Sequence, residues 1–561
     1  MADYSTSAEK ASESRLPPWL VAGIFLAWML PGLFGHEPWK PDESYTTGLI
    51  NHILMTGDLV VPTLAGEPFM EKPPIFFITA AIFAKLFSPW LLLMHQAAAF
   101  ATVFHIGLTC LFVYLAGREA AGKEGGAIAA LALIGCLGFV IRAHSVITDT
   151  TLWCGFAIAC HGMLLAGRRR MAGAFWFGTG TGMAFMAKGF IGPTFIGVAA
   201  FLLPLFCPDR RGWGYVRMLA WSFVFSLPWL VIWPAALYMR SPELFSDWFW
   251  INNAGRFLGP RFGFPVPASP DGYWKYLAYF PWFTLPLWPA ALALWWNRWR
   301  IARREAAAVY PTLIVVIGLG LLTLAAGKRE LYLIPLLIPL AVLAAQGSDS
   351  MPHWLRRTLG LIPLCVSGVA LATLWMLWAV WSFGYPAWPA QRLSDLAPGL
   401  EPGSGLVCTV LAGLYAGAWL WFFVFPSGYR RCWSLAWAAG LTVVWGTTML
   451  LFLPAIDHGK SYRDTFAALA RHLPDDHSAR IDSYSLGEPQ RALLEYYHGR
   501  RTEPVILNGR EPVAEYLLVQ NHRQNPRFNP GADWLVLWEG TRPGDKKEWY
   551  ALFHRPAQRT P

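Results

Sequence analysis

Apolar residues along this chain gather into thirteen blocks separated by short polar turns. A helix crosses the bilayer hydrocarbon with about 20 largely apolar residues, and about 17 suffice. On that measure the pattern predicts spans at 16–34, 91–117, 125–141, 151–167, 172–187, 190–207, 215–239, 274–296, 308–326, 331–346, 358–383, 404–425 and 433–454. Past Pro454 the pattern changes. Residues 463–473 carry Phe466, Leu469 and His472 at helical spacing, 479–484 read as a strand and 490–497 as a helix. Residues 504–507 and 516–519 read as strands, and 534–538 as a buried strand. The expected architecture is a polytopic α-helical membrane protein of about thirteen transmembrane helices, residues 1–454, with polar loops at 35–90 and 240–273. A small α/β domain, residues 455–561, follows and has a size suited to one folding unit.

Composition agrees with lipid as the main solvent. Hydrophobic residues make up 55% of the chain and charged residues 14%, against about 25% charged in soluble proteins. Many of the 31 tryptophans, among them Trp19, Trp90, Trp213, Trp282, Trp288, Trp295 and Trp296, sit near block ends, where indole rings anchor at the membrane interface. The first block follows a polar N-terminus without a small-residue cleavage site, so it is expected to be a retained span. All eight cysteines lie in or beside apolar blocks with no Cys-x-x-Cys pair, which points to neither zinc nor disulfides.

The net charge of +10 does not indicate nucleic acid, because most Lys and Arg fall in short loops. With the N-terminus inside, the cytoplasmic loops hold Arg118, Lys123, Arg168 to Arg170, Arg210, Arg211, Arg217, Arg298, Arg300, Arg303, Arg304, Arg356, Arg357, Arg430 and Arg431. This distribution follows the positive-inside rule. It places the first loop, the 240–273 loop, the Lys328-Arg329-Glu330 turn and the C-terminal domain outside, facing the periplasm or exterior.

The outer face gathers the ionisable residues, and such groups near hydrocarbon are costly unless they serve a site. Pro41 precedes Asp42-Glu43, and Tyr45, Leu49 and Ile53 form a helical stripe, so Asp42 either caps an interfacial helix or stands at a cavity. In Glu71-Lys72-Pro73-Pro74 the prolines stiffen an extended segment. Lys72 there suits either a phosphate or the membrane surface. Asp149 lies on the same side and either caps the fourth predicted span or shares a cavity with Asp42. Asn252-Asn253-Ala254-Gly255-Arg256 lies in the longest mid-chain outer loop, and Lys328-Arg329-Glu330-Leu331-Tyr332 makes a charged turn that reads as a phosphate clamp or an interfacial turn.

In order, spacing and sidedness these segments resemble the polyprenyl-phosphate-dependent membrane glycosyltransferases of the C fold (GT-C). The resemblance is to the aminoarabinose lipid A transferase family and the wider protein-mannosyltransferase-like superfamily. It covers nearly the whole chain through Asp42-Glu43, Thr56-Gly57-Asp58, Glu71 to Pro74, Thr148-Asp149, Arg256-Phe257 and Lys328 to Pro335. It implies transfer of a sugar from a polyprenyl (undecaprenyl) phosphate donor to lipid A, another glycolipid, a glycan or a protein at the periplasmic face. Asp42 and Asp149 would be the catalytic acids. Glu43, Lys72, Arg256, Lys328, Arg329 and Tyr332 would contact donor phosphate or substrate. Glu71 resembles a position linked to a divalent metal, and no other cofactor is implied.

Two places depart from the family pattern. Tyr45 and Thr46 stand where the family often has Arg and Tyr. Asn252 and Asn253 stand where it often has Glu followed by Asn or His, which removes the histidine that would join Glu71 at a metal. The chemistry expected is an inverting displacement at the anomeric carbon. Asp42 would act as base toward a hydroxyl acceptor, or as an orienting group toward a phosphate acceptor. Two other classes compete. A transporter would place its charges near the midplane of internal repeats, and none is visible; a non-catalytic envelope assembly protein would need none of the acids.

Overall fold

The protein is described by a computed structural model covering residues 16–255, 272, 274–325, 327–395, 397–424, 432–474, 476, 479–505, 512–522, 528, 530–545 and 547–556. Each of the thirteen predicted blocks falls on helix, and the helices differ from the prediction in length and continuity. Among the described residues six are long and apolar enough to cross a membrane: Met94–Ile134, Trp213–Arg240, Ala306–Leu324, Glu330–Ser348, His353–Phe383 and Trp433–Ala470. A seventh arises if Lys275–Phe283 and Leu287–Ala302, bent by 93°, make one span. Pro18–Met29, Ile75–Phe87, Ile191–Phe206 and Leu406–Phe422 are shorter apolar helices.

The reasons for these breaks are local. Within Phe100–Ile134, Ala121 and Gly122 leave helical geometry and Gly122 takes φ +75°, so the two predicted spans 91–117 and 125–141 fold back on each other. Gly117 and Gly125 meet at that reversal, where a Cβ on Gly117 would lie 2.5 Å from the Gly125 carbonyl oxygen. The Ile75–Phe87 helix was not anticipated. It lies inside the expected 35–90 loop, directly after Pro73-Pro74, and buries Phe76, Phe77 and Ala80.

Small residues set the closest helix packing. The helices Asp149–Leu165 and Arg170–Lys188 cross through Gly155, Gly162 and Gly180. A Cβ on Gly180 would lie 2.4 Å from the Ala159 amide nitrogen. Lipid tails are as apolar as the side chains, so close backbone approach takes over the role that water exclusion has in soluble cores.

The C-terminal segment forms a five-stranded mixed sheet. Its spatial order is Glu503–Pro504, Ile481–Tyr484, Tyr516–His522, Glu548–His554 and Leu535–Gly540. The first two pairings are parallel and the last two antiparallel. The helices Arg463–Ala470 and Glu488–His498 cover it, with Phe466, Leu469, Leu493, Leu494, Leu518, Tyr550 and Leu552 in the core. The strand expected at 504–507 is seen as Glu503–Pro504, and 506–511 lie outside the described residues. The strand expected as buried at 534–538 is an exposed edge strand, because among the described residues no neighbour covers Leu535, Val536 and Leu537. The strand Glu548–His554 was missed. It is buried on both faces, so its sequence shows no alternation to read.

Replacing Gly180 by Leu forces apart a helix crossing that has no slack, and overpacking of this kind costs about 1–3 kcal/mol or more. The variant is expected to melt several degrees lower than wild type in detergent, measured by fluorescence-detected size exclusion after heating; an unchanged melting temperature would contradict the packing described.

Candidate active site

The helix Asp42–Thr56 starts immediately after Pro41. The Trp39 carbonyl accepts the amides of Glu43 (3.2 Å) and Ser44 (3.3 Å), satisfying two N–H groups that the first helical turn leaves without partners. Gly57, at φ +71°, ends the helix. Asp58 then accepts the Val60 and Val61 amides (2.9 and 3.1 Å) and pairs with Arg240 at 3.3 Å, which sets the turn after it.

Asp42 and Glu43 are both buried and do different things. One Asp42 oxygen accepts the Tyr45 hydroxyl (2.9 Å) and, at 3.4 Å, the Arg329 guanidinium, which also donates to the other oxygen (2.9 Å), with Arg142 at 3.6 Å. The Lys72 ammonium in turn donates to the Tyr45 oxygen at 2.7 Å. Lys72, Tyr45, Asp42 and Arg329 therefore form one continuous chain. Burial raises the Asp42 carboxyl, but Arg329, Lys72 and the Tyr45 hydrogen bond outweigh it and hold the acid below its usual range. Burial also pushes Lys72 down to about 8, against the pull of Asp149, Asp42 and Glu71 and with the repulsion of Lys188. The Tyr45 phenol is held well above its ordinary value by burial, then by Asp42 and Asp149, so it stays protonated.

Glu43 faces away from this chain. One of its oxygens accepts the Val146 amide and the other the Trp39 amide, each at 3.0 Å. It ties the start of the Asp42–Thr56 helix to the bend preceding Asp149. Both oxygens are thus engaged by backbone, whereas the resemblance places Glu43 in the substrate-binding set.

Asp149 opens the helix Asp149–Leu165 and forms an ion pair with Lys188. The Lys188 ammonium stands 4.4 Å above the Tyr332 ring. These three residues, with Leu152, Phe195 and Leu322, enclose a small cavity of about 20 Å³. Gly189, at φ +66°, follows Lys188, and Asn253 sits against it: a Cβ there would fall 1.6 Å from the Asn253 side-chain oxygen. The Lys328 to Glu330 turn is built by a neighbouring helix, Lys275–Phe283. Buried Tyr276 accepts the Arg329 amide at 3.1 Å, and Lys275 reaches the Lys328 carbonyl and the Glu330 carboxylate, each at 3.2 Å.

The structure therefore brings together Asp42, Lys72, Arg329, Asp149 and Tyr332, with Glu71 in the electrostatic reach of Lys72. It sets Glu43 behind them as a strut. Arg256 lies outside the described residues. Among the described residues no three His, Cys, Asp or Glu side chains assemble as metal donors. Sequence reasoning missed Lys188, Tyr45 and Arg142 as members of the site. Lys188 ends an apolar helix far in sequence from its partner, and Tyr45 read as one residue of an apolar stripe and as a departure from the family pattern.

Beside the charged chain lies an apolar cavity of about 590 Å³. Leu137, Ile141, Tyr279, Trp282 and Phe283 line it, with Arg142 and Glu330 at its polar end. Ile141 and Trp282 are exposed, so the cavity opens to the surroundings of the helical bundle.

Buried acids, lysines and an arginine thus stand at one face of a helical scaffold, next to an open apolar cavity, and the scaffold has the membrane GT-C fold. The crystal structure of ArnT from Cupriavidus metallidurans bound to undecaprenyl phosphate shares this fold, with a TM-score of 0.67 and 18% identity over 95% of this chain and 97% of that one. In sequence the chain is similar to the undecaprenyl phosphate-alpha-4-amino-4-deoxy-L-arabinose arabinosyl transferase of Pseudomonas aeruginosa (strain UCBPP-PA14). It is 26% identical, over 95% of this chain and 92% of the relative. The arabinosyl transferase 1 of Sodalis glossinidius is 30% identical, over 59% of this chain. The chain spans 58% of that relative's length. No family model matches the chain. Fold and relatives are those that the sequence motifs imply.

Glu43→Ala leaves the buried Val146 amide and the half-buried Trp39 amide without their acceptor, and loss of a buried partner costs about 1–3 kcal/mol. A clear fall in melting temperature is expected, with a smaller fall for Glu43→Gln, which keeps one acceptor oxygen; equal melting of the Glu43→Ala and wild-type proteins would show that Glu43 is no strut.

Proposed function

We propose that this protein is a membrane glycosyltransferase that moves a sugar from an undecaprenyl phosphate carrier to an acceptor at the periplasmic face, lipid A or a related glycolipid. The observation that carries this reading is the buried chain Lys72–Tyr45–Asp42–Arg329 next to the open apolar cavity. Cations held beside hydrocarbon suit a phosphate whose tail lies in lipid. The names of the relatives, all undecaprenyl phosphate aminoarabinose transferases, support the donor class. The reading carries with it an inner-membrane location, a cytoplasmic N-terminus and a periplasmic 455–561 domain.

In this account the acceptor attacks the anomeric carbon with inversion, and the polyprenyl phosphate leaves. Lys72, with Lys328 and Arg329 at the phosphate end, stabilises the charge that develops on the leaving oxygen, which is often the largest catalytic term. Asp42 is held ionised by Arg329, Lys72 and Tyr45, which makes it a poor base and a good orienting anion. That property favours an acceptor whose nucleophile needs little deprotonation, such as a phosphate, over an alcohol. Asp149, paired with Lys188 and close to Tyr332, fixes the opposite wall.

Mass spectrometry of lipid A and total envelope glycans tests this reading in a strain lacking the gene. A sugar mass lost with the gene is expected to return with wild type and not with Asp42→Asn at equal membrane levels; restoration by Asp42→Asn would remove Asp42 from the chemistry.

The depressed Lys72 sets a pH dependence. The ammonium is lost as pH rises through about 8, while the donor phosphate keeps its charge. Donor affinity of the purified protein is therefore expected to fall by about tenfold between pH 7 and 9, the size of one charge-assisted hydrogen bond. Lys72→Arg, charged throughout, is expected to bind with a flat profile. A flat wild-type profile would show that Lys72 does not meet the phosphate.

A further inference from the structure

The segment that caps the Asp42–Thr56 helix is held from outside by the C-terminal part of the chain. The Asp457 carboxylate accepts both the Glu37 amide (2.9 Å) and the Trp39 indole N–H (2.8 Å). The Lys460 ammonium stands 4.2 Å above the Trp39 ring. Lys40 forms an ion pair with Glu548, at the start of the buried strand Glu548–His554. Glu548 is itself fixed by the Tyr462 hydroxyl (2.8 Å), the Tyr550 hydroxyl (3.1 Å) and Arg542 (3.3 Å). Glu37 accepts Arg463 and Tyr497, each at 2.9 Å.

The same unit touches the flank of the helix. A Cβ on Gly48 would lie 2.8 Å from the Ala492 methyl, so the helices Asp42–Thr56 and Glu488–His498 cross with no room to spare. Arg491 donates to the Ala65 carbonyl at 3.2 Å, beyond the turn that follows. Apart from that last contact, these groups converge on residues 37–48 rather than on the Lys72–Asp42–Arg329 chain itself. The Trp39 carbonyl that they fix is the acceptor for the Glu43 and Ser44 amides next to Asp42.

We infer that the C-terminal sheet, together with the end of the helix Trp433–Lys460, acts as a positioning element for transfer: Asp457 on that helix and Glu548 in the sheet, through Trp39 and Lys40, set the helix cap on which Asp42 stands. The inference rests on the transferase reading above. A rigid cap matters here because Asp42 meets three partners at once, and displacement of a reacting group by about 1 Å costs on the order of a hundredfold in rate. The sheet contributes to that rigidity through cores of its own, separate from the core of the helical bundle, and the helix Trp433–Lys460 contributes Asp457 and Lys460.

Lys40→Met is the informative variant. The Lys40 side chain is 37% exposed, and Glu548 keeps Tyr462, Tyr550 and Arg542 when it is removed, so the sheet is expected to fold. Purified wild type, Lys40→Met, Lys40→Arg and Asp457→Leu are compared in detergent by two readouts. In hydrogen exchange, the amides of Glu43 to Thr46 are expected to exchange about tenfold faster in Lys40→Met and Asp457→Leu, while those of Leu517 to Val519 in the sheet are unchanged. In transfer assays with an undecaprenyl phosphate sugar donor, kcat is expected to fall by about ten- to a hundredfold with donor KM within about threefold of wild type, and Lys40→Arg to restore kcat. Unchanged helix amides, an unchanged kcat despite faster exchange, or loss of protection in the sheet together with the helix would each overturn the inference. A wild-type protein that transfers no sugar would instead sink the transferase reading, and hydrogen exchange would still support or overturn the clamp.

Discussion

Asp42 carries a negative charge in a site from which water is largely excluded, and the rest of the site is arranged around that fact. An isolated buried carboxylate would take up a proton. Here Arg329 donates to both oxygens, Tyr45 to one of them, and Lys72 reaches the far side of the Tyr45 hydroxyl. Tyr45 lies on the same helix as Asp42, whereas Lys72 and Arg329 come from elsewhere, so the charge binds the helix Asp42–Thr56, the Glu71-Lys72-Pro-Pro segment and the 328–330 turn into one unit. Removing Asp42 leaves Arg329 and Lys72 without their counter-charge, and removing Arg329 strips the buried carboxylate of its nearest cation, which is why the cluster reads as a single device rather than as separate contacts.

Second-layer residues keep this unit in register with Asp149. Glu43 gives both oxygens to backbone amides on two sides, and Tyr276 holds the Arg329 backbone from a third. Glycines do comparable work in the helical scaffold. Gly180 and Gly155 bring the helices that carry Asp149 and Lys188 into backbone contact, and Gly189 leaves space for Asn253 beside Lys188. The apolar cavity next to Arg142 and Glu330 then joins a charge-rich pocket to a greasy surface, a combination suited to an amphipathic substrate.

Much of this was legible in the sequence because the residues are costly where they stand. Asp42, Lys72, Asp149, Arg329 and Tyr332 interrupt apolar blocks or sit in short loops, and a charge at the membrane face is conspicuous. The helical blocks were legible for the same reason. Span continuity was not: the reversal at Ala121-Gly122 and the 93° bend after Phe283 leave the apolar pattern intact. The Ile75–Phe87 helix was absorbed into a loop because it is short and follows two prolines. Lys188 was missed because its partner, Asp149, is 39 residues away and only the fold brings them together. In the C-terminal sheet, Glu548–His554 lacks alternation because both its faces are covered, and the exposed run Leu535 to Leu537 looks buried from composition alone.

The central claim is that the charged chain built on Asp42 receives a lipid-linked phosphate. An electron cryomicroscopy structure of the protein with undecaprenyl phosphate tests it most directly. The account predicts density for the phosphate within hydrogen-bond reach of the Lys72 ammonium and the Lys328 to Tyr332 turn, with the polyprenyl tail leaving toward lipid. Phosphate density elsewhere, with Lys72 still bonded only to Tyr45, would contradict it.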